Sequence, residues 1–239
     1  MVQAMFLNEY HNNKAGLISI TRQQASDFAK KIAGDFNPIH DADAKRFCVP
    51  GDLLFSLVLN RYGLSQHMHF NFAGMVGDEV PLNFPETDEN RIDITDANGK
   101  LYLSVERSGA RSTDHVLIEN LTKNYVAFSG QTFPHILVPL MAKNEVMINP
   151  DRPMVIYQSM IINISDLNIN APTLELADSV LDVDGKRGNV RLSFRLMADG
   201  TEVGTGEKSM VLSGLKTFEQ SSIDSLVNDY SARKHTYSV

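Results

Sequence analysis

Four residues whose types could do chemistry stand within six positions of one another: Asp35, Asn37, Pro38 and His40, in the stretch AGDFNPIHDADAKRF, residues 33–47. A carboxylate and an imidazole held in fixed relation can polarise one water between them, or move a proton to and from carbon. Pro38 fixes its own backbone and biases Asn37 towards an extended conformation, so the turn is stiff enough to hold both groups. The same residue types also make an ordinary turn, because Asp and Asn bond to nearby backbone and Pro presets a dihedral. On residue types alone that plainer reading is favoured, with Asp35 as a cap and His40 at the surface.

Other candidates are weaker. His67 and His69 lie two apart in HMH, but no Cys or carboxylate stands nearby at zinc-ligand spacing, so they read as surface or strand histidines. Cys48 lies close to the first cluster without an evident activating partner and reads as a buried structural thiol. His135 falls in an apolar segment and reads as a core or edge group. No phosphate loop, dinucleotide fingerprint or G-x-S-x-G is present; GTGE at 204–207 reads as a turn between strands.

The elements that must position the first cluster can be read on either side of it. Thr21 followed by Gln24 has capping-box spacing, and Ala25, Phe28, Ala29, Ile32 and Ala33 form a helical stripe that stops at Gly34. A second helix is expected from Gly51-Asp52 to about Gly63. Asp52 suits a helix N-terminus, and Leu53 to Leu59 is apolar nearly all round, so the helix must be buried on most sides. Strands follow: Leu101, Leu103 and Val105 alternate with Tyr102, Ser104 and Glu106, and β-like runs continue around Val116, Ile118 and Tyr125.

The order then repeats. PHILVPLMA (134–142) reads as a second buried helical segment, broken or kinked at Pro139, with the second helix expected near 131–142. Strand-like runs follow at 154–164, 173–183, 189–197 and 208–213. GKLYLSVER (99–107) echoes GNVRLSFRL (188–196) at an offset of 89, and VPGDLLFSL (49–57) echoes FPHILVPL (133–140) at an offset of 84. Two similar offsets in one order point to a duplicated unit. The expected class is α+β, with two long helices each laid against a curved antiparallel sheet, the two sheets joined edge to edge. The units are read as 1–128 and 129–219, followed by a polar tail, 220–239, forming a short helix with frayed last residues.

Composition is ordinary for a globular protein, 43% hydrophobic and 21% charged. The net charge of −7 and the scatter of the 22 Lys and Arg disfavour a nucleic-acid partner. With one cysteine there is no intrachain disulfide to suggest an oxidising compartment. The N-terminal stretch MVQAMFLNEYHNNK shows no leader pattern, and no apolar run approaches the ~20 residues of a membrane helix. A cytoplasmic location and no membrane partner are the expectation.

GDFNPIH, with Ala44 downstream, resembles the signature of the MaoC-like dehydratases, which include (R)-specific enoyl-CoA hydratases: G-D-x-N-P-[apolar]-H, matched at Gly34, Asp35, Asn37, Pro38, Ile39 and His40. The match covers residues 21 to 63. It implies a hotdog fold, here a double hotdog, and a hydro-lyase site in which Asp35 and His40 hold the water added across a 2-enoyl thioester. Asn37 would help shape that site, and the Gly51 N–H at the helix start would take the thioester oxygen. The resemblance implies an acyl-CoA or acyl-carrier-protein thioester as partner, no cofactor and no metal. The second unit lacks the motif, which implies one site per chain and room for a longer acyl chain. Where the family commonly reads His-Gly-Met, this chain reads Pro50-Gly51-Asp52. Asp52 is therefore a possible modulator: facing inwards it would oppose charge on an enolate, and facing solvent it would only cap the helix. A non-catalytic acyl-thioester or lipid-binding protein, or a thioesterase, is the alternative on the same fold. A single chain would already contain the pair of units, with a homodimer possible.

Overall fold

The computed structural model describes residues 6–237; the first five residues of the stretch read above for a leader, and residues 238 and 239 of the tail, lie outside the described residues. Thr21 caps helix α1 (Arg22–Asp27) as its spacing predicts: its hydroxyl accepts from the Gln24 N–H, and the Gln24 side chain accepts from the Thr21 N–H. The chain then widens into a π-helical stretch, Phe28–Ala33, which ends at Gly34 in the left-handed conformation. Such stretches are frequent at functional sites. This one leads directly into the Asp35 turn, with the Asp35 N–H bonded to the Ala29 carbonyl at 2.9 Å.

Helix α2 (Gly51–Tyr62) is buried continuously from Asp52 to Leu59 and closes at Gly63. It lies against a ten-stranded sheet in which every neighbouring pair is antiparallel. The strands are β1 (Asn12–Lys14), β2 (Leu17–Ser19), β3 (Leu64–Phe72), β4 (Leu82–Asn83), β5 (Arg91–Asp96), β6 (Leu101–Ser112), β8 (Val155–Ile164), β9 (Thr173–Asp184), β10 (Arg187–Ala198) and β11 (Thr201–Ser213); β7 (Val146–Met147) and β12 (Lys216–Thr217) pair apart from it. The order is β1-β2-β4-β5-β6-β3-β8-β11-β10-β9. Read outwards from the middle, each half runs first, fourth, third, second: β3-β6-β5-β4 on one side and β8-β11-β10-β9 on the other. The two first strands meet at the centre, with Met68 opposite Ile162 and Phe70 opposite Met160.

The same strand order therefore occurs twice, but not by the echo that suggested it. GKLYLSVER lies on β6, a fourth strand, and GNVRLSFRL on β10, a third strand. Their likeness is that of two amphipathic strands facing one core. The runs expected from 154 to 213 are β8 to β11. GTGE, however, is not a turn: Gly204 and Gly206 lie inside β11, where an added Cβ would stand 2.3 Å from the Asn163 carbonyl oxygen and 2.2 Å from Phe194 Cζ. Glycine inside a strand can mark a site where another group approaches closely.

The second long helix is α3 (His115–Gly130), where strands were expected around Val116, Ile118 and Tyr125. The Asp114 carboxylate caps it, accepting from the Val116 and Leu117 N–H groups at 2.8 and 3.0 Å. Leu117, Leu121 and Tyr125 then recur at helical spacing on its buried face. Cap and periodicity outweigh the β-branched residues. The 131–142 segment forms two short helices, α4 (Thr132–His135) and α5 (Leu137–Lys143). Pro139 falls in the first turn of α5, where its missing N–H costs no helical bond. The 128/129 boundary falls inside α3.

The core has two parts. The larger joins α2, α3 and the first-half strands with Met160, Ile162, Phe194 and Leu196 of the second half. The smaller joins Leu137, Leu140 and Met141 of α5 to Leu181, Leu192 and Leu212 on β9 to β11. The tail forms α6 (Gln220–Tyr237), an eighteen-residue helix and not a short one. Two buried residues, Ile223 and Tyr230, anchor it. Among the described residues, no helix is long and apolar enough to cross a membrane.

Candidate active site

The turn after Gly34 is built by its own side chains. Asp35 Oδ1 accepts from the Asn37 N–H at 2.9 Å, and Asn37 Oδ1 accepts from the Ile39 N–H at 3.2 Å. Pro38 opens a single 3-10 turn, Pro38–His40. These are the turn interactions expected of Asp-x-Asn-Pro, and they leave Asp35 Oδ2 and the His40 ring free for each other. His40 Nε2 lies 3.9 Å from Asp35 Oδ2. His40 Nδ1 bonds to the Cys48 carbonyl at 2.7 Å. A carbonyl only accepts, so Nδ1 carries the hydrogen, and in the neutral ring Nε2 is the basic nitrogen. A separation of 3.9 Å is too long for a direct bond but is spanned by one water about 2.8 Å from each atom.

The Asp35 carboxyl is pushed above the usual carboxylate range, chiefly by burial. His40 and the Asn37 N–H act against that shift, and the charge of Asp52 adds to it. Cys48 lies between this turn and α2, with its N–H on the Ile39 carbonyl. Burial pushes its thiol up to about 11, which leaves it inert.

The start of α2 faces the same region. The helix bonds begin with the Leu53 and Leu54 N–H groups on the Pro50 carbonyl, so the Gly51 and Asp52 N–H groups precede the hydrogen-bonded ladder. Phe72 and Tyr157 stack on each other, centroids 4.3 Å apart, against Gly51. A Cβ on Gly51 would stand 2.7 Å from Tyr157 Cδ1, so only glycine fits.

Asp52 faces inwards. It is 9% exposed, and its Oδ2 accepts from the Ser129 hydroxyl at 2.5 Å. Ser129, in the last turn of α3, accepts in turn from Lys208 Nζ on β11. Ser129 and Lys208 are each 5% exposed. The ammonium also lies over the Tyr157 ring, 4.2 Å from its centroid. Asp52 Oδ1 is buried without a hydrogen-bond partner. The charge that an inward carboxylate would bring to the helix start is thus balanced by a lysine from the other half of the sheet. The Tyr125 and Tyr157 hydroxyls bond to each other, and burial and the nearby Asp52 carboxylate raise both phenols well above their ordinary range.

Gly130, the residue after Ser129, ties the two groups together. A Cβ there would stand 1.9 Å from the Ala33 carbonyl oxygen and 3.3 Å from the Asp35 nitrogen. The end of α3 is pressed onto the turn that carries Asp35. From the other side Tyr230 of α6 reaches the same turn, its hydroxyl 3.2 Å from the Gly34 carbonyl and 3.4 Å from the Phe36 nitrogen.

The structure places Asp35, Asn37 and His40 in one turn and Gly51 and Asp52 at the start of α2, with His40 bonded to the Cys48 carbonyl between them. It adds Ser129, Lys208, Tyr125 and Tyr157, which sequence reasoning missed. His67 and His69 are exposed on β3, with His67 Nδ1 3.0 Å from Asn163 Oδ1, and His135 is exposed on α4 and not in the core. Among the described residues no three His, Cys, Asp or Glu cluster as a metal site would require.

Two helices packed on one antiparallel sheet whose strand order recurs define an α+β protein of the hotdog class, in double form. The chain belongs to the family described as "Protein of unknown function (DUF3581)", whose model matches residues 5–221. No curated protein matches its sequence. Solved structures resemble it at low identity. Peroxisomal multifunctional enzyme type 2 from Drosophila melanogaster is 13% identical with a TM-score of 0.44, covering 81% of this chain and 47% of that one, so this chain spans about half that enzyme's length. A MaoC-like dehydratase is 11% identical with a TM-score of 0.43, covering 86% and 98%. A hotdog-fold protein of unknown function from Alicyclobacillus acidocaldarius is 8% identical with a TM-score of 0.45, covering 89% and 99%.

Proposed function

We propose that this protein is an enoyl-thioester hydratase or dehydratase of the MaoC-like type, acting on an acyl-CoA or acyl-carrier-protein substrate. The observation that carries this reading is the placement of His40 Nε2 3.9 Å from Asp35 Oδ2, in a turn held against the start of α2. The thioester oxygen takes the Gly51 N–H, where the unpaired amides and the dipole of α2 favour developing negative charge. The water oxygen bonds to C3 of the enoyl group. One water proton passes to His40 Nε2, and the Asp35 carboxyl, its pKa raised by burial, gives a proton to C2. Transfer from the imidazolium to the carboxylate resets the pair, so H and OH are added and nothing else changes. The reverse sequence is dehydration.

The same reading takes the chain as two hotdog units and a tail. The repeated strand order supports the division, with the join at residues 113–114, before α3. The first unit supplies the acid–base pair and the second supplies Ser129 and Lys208, so one chain makes one site without requiring a second copy.

Hydration of 2-enoyl-CoA esters over a range of chain lengths tests the reading. Conversion of at least one length, without release of free CoA, is the expected result. Release of CoA would indicate a thioesterase. Binding without conversion would indicate a non-catalytic acyl-thioester protein.

A further inference from the structure

At the end of α2 farthest from Gly51 lies an open cleft of about 480 Å³, walled by Arg61 in the last helical turn and Arg111 on β6. Arg61 follows Gly51 by ten positions, about 15 Å at the helical rise, so the cleft is distinct from the Asp35–His40 turn. The loop between β4 and β5 closes another side, and its backbone is clamped. Arg107 Nε, Nη1 and Nη2 donate to the carbonyls of Glu89, Tyr62 and Thr87 at 3.0, 3.3 and 3.2 Å. The Tyr62 hydroxyl donates to the Pro85 carbonyl at 2.9 Å. With the carbonyls of Pro85, Thr87 and Glu89 tied down, the side chains between them, Glu86 and Asp88, stand over the cleft. Glu86 Oε1 accepts from Arg61 Nη2 at 2.6 Å, and Asp88 Oδ1 accepts from Arg111 Nη1 at 3.1 Å.

The two arginines are part of the wall, and the two acids are not. The side chains of Arg61 and Arg111 are 26% and 42% exposed, against 94% and 91% for Glu86 and Asp88. Ion pairs to carboxylates so exposed contribute little and can yield to a better acceptor. Each guanidinium has five N–H donors, and among the described residues each spends one of them, on its carboxylate. Positive charge is also in excess. Arg107 is 6% exposed and bonds to carbonyls, not to a carboxylate, whereas a buried charge is ordinarily paired. Burial, and then the charge of Arg111, hold Arg107 below its ordinary value, with Asp88 acting against both. Three guanidiniums thus face two carboxylates. The dipole at the end of α2 opposes an anion, but Arg107 already covers the Tyr62 carbonyl there. We propose that this cleft binds a phosphoryl group, free or esterified, held between Arg61 and Arg111 while Glu86 and Asp88 turn out to solvent. A tetrahedral dianion accepts paired N–H donors from two guanidinium forks at once, which single bonds to carboxylates leave unused. The Thr87 and Thr113 hydroxyls in the same wall are further donors. The proposal is independent of the acyl-thioester reading.

Titration calorimetry of the full chain with sodium phosphate, glycerol 3-phosphate and sodium chloride tests the proposal, at constant ionic strength and about pH 8, where the phosphoryl group is dianionic. Phosphate is expected to bind and chloride is not. Tighter binding of glycerol 3-phosphate than of phosphate identifies an ester as the ligand, and weaker binding identifies the free ion. Arg61→Gln and Arg111→Gln should each weaken phosphate binding about tenfold or more, as loss of hydrogen bonds between charged groups does. Glu86→Gln with Asp88→Asn removes the competing carboxylates at two exposed positions that carry no packing, and should tighten binding severalfold. Phosphate binding no stronger than that of chloride overturns the proposal, as does binding unchanged in both arginine variants. Weaker binding in the Glu86→Gln, Asp88→Asn variant also overturns it, because the acids would then belong to the site and not be its displaceable cover. If an arginine variant fails to fold by circular dichroism, the carboxamide variant alone decides between tighter and weaker binding.

Discussion

His40 Nδ1 donates to the Cys48 carbonyl at 2.7 Å, and that bond decides the chemistry of the other ring nitrogen. It fixes the tautomer and turns Nε2 towards Asp35 Oδ2. Because the Cys48 carbonyl lies just before α2, the imidazole is also positioned relative to the Gly51 N–H. His40→Ala and Asp35→Asn should each lower enoyl-thioester hydration by about 10²–10⁴-fold, the usual worth of a positioned acid or base. Circular dichroism should show both variants folded, because Asn at 35 can still accept from the Asn37 N–H.

Asp35 also predicts a pH-dependent stability. Its folded pKa is raised, mainly by burial, so the native state holds a proton that the unfolded chain has already released. The stabilisation linked to that proton is complete below the ordinary carboxylate range and is lost as pH rises through the raised value. Above the ordinary carboxylate range this titration is therefore a burden on the folded state that Asp35→Asn removes. The variant should melt at a higher temperature than the parent at pH 7, with the difference shrinking as pH falls into the ordinary carboxylate range. Thermal melts over a pH series check this; a parent more stable than the variant at neutral pH would contradict it.

What could be read in advance follows from where the site residues lie in the chain. Asp35, Asn37 and His40 share one rigid turn, and Gly51 and Asp52 open the next helix, so local spacing exposes them. Ser129, Lys208, Tyr125 and Tyr157 lie on α3, β11 and β8 and meet only through the sheet, and no local pattern joins them. The capping-box helix and the buried α2 were legible because cap, stripe and stop agree. In α3, Val116 and Ile118 suggested strand, while Asp114 as a cap and the spacing of Leu117, Leu121 and Tyr125 carried the correct signal. The one sequence echo between strands was misleading, because any two strands facing one core share a period of two.

The Asp52–Ser129–Lys208 chain should behave as one unit. Lys208→Met leaves a buried carboxylate without its cation, which typically costs about 3–5 kcal/mol. Replacing both charges, Asp52→Leu with Lys208→Met, should recover most of that loss, because well-packed apolar groups often substitute for a buried pair. Urea unfolding of the two single variants and the double variant forms a thermodynamic cycle. Additive losses would show that the two charges act independently.

Gly130→Ala tests the contact between α3 and the Asp35 turn. Its Cβ would stand 1.9 Å from the Ala33 oxygen, so backbone must move. Overpacking of this kind costs about 1–3 kcal/mol. The displaced turn carries Asp35, so hydration should fall more than the stability loss explains. Steady-state rates measured well below the melting temperature separate the two effects.

Helix α6 holds the same turn from outside, and Tyr230 is the residue that does it. Its hydroxyl lies 3.2 Å from the Gly34 carbonyl, 3.3 Å from the Gly130 carbonyl and 3.4 Å from the Phe36 nitrogen, so it meets both the turn and the end of α3. Its ring packs edge-on against Phe36 and Phe133. Burial, with the charge of Asp35 second, pushes the phenol up to about 12, so it stays protonated and able to donate throughout the working range. Further along the helix, Arg233 pairs with Asp41 at 2.6 Å, and Lys30 pairs with the same carboxylate at 2.8 Å. Tyr230→Phe keeps the ring contacts and removes only the hydroxyl. It should cost about 0.5–1.5 kcal/mol in stability, the net worth of a hydrogen bond. Its larger effect should be on kcat, because the Gly34 carbonyl is one residue from Asp35 and a shift of about 1 Å at a reacting group can cost 10²-fold. Arg233→Ala should do less, since Lys30 still holds Asp41. Nuclear magnetic resonance of the His40 ring gives a readout independent of turnover: its signals should shift in Tyr230→Phe and stay in place in Arg233→Ala. Unchanged His40 signals together with unchanged kcat in Tyr230→Phe would show that α6 only covers the turn and does not set its position.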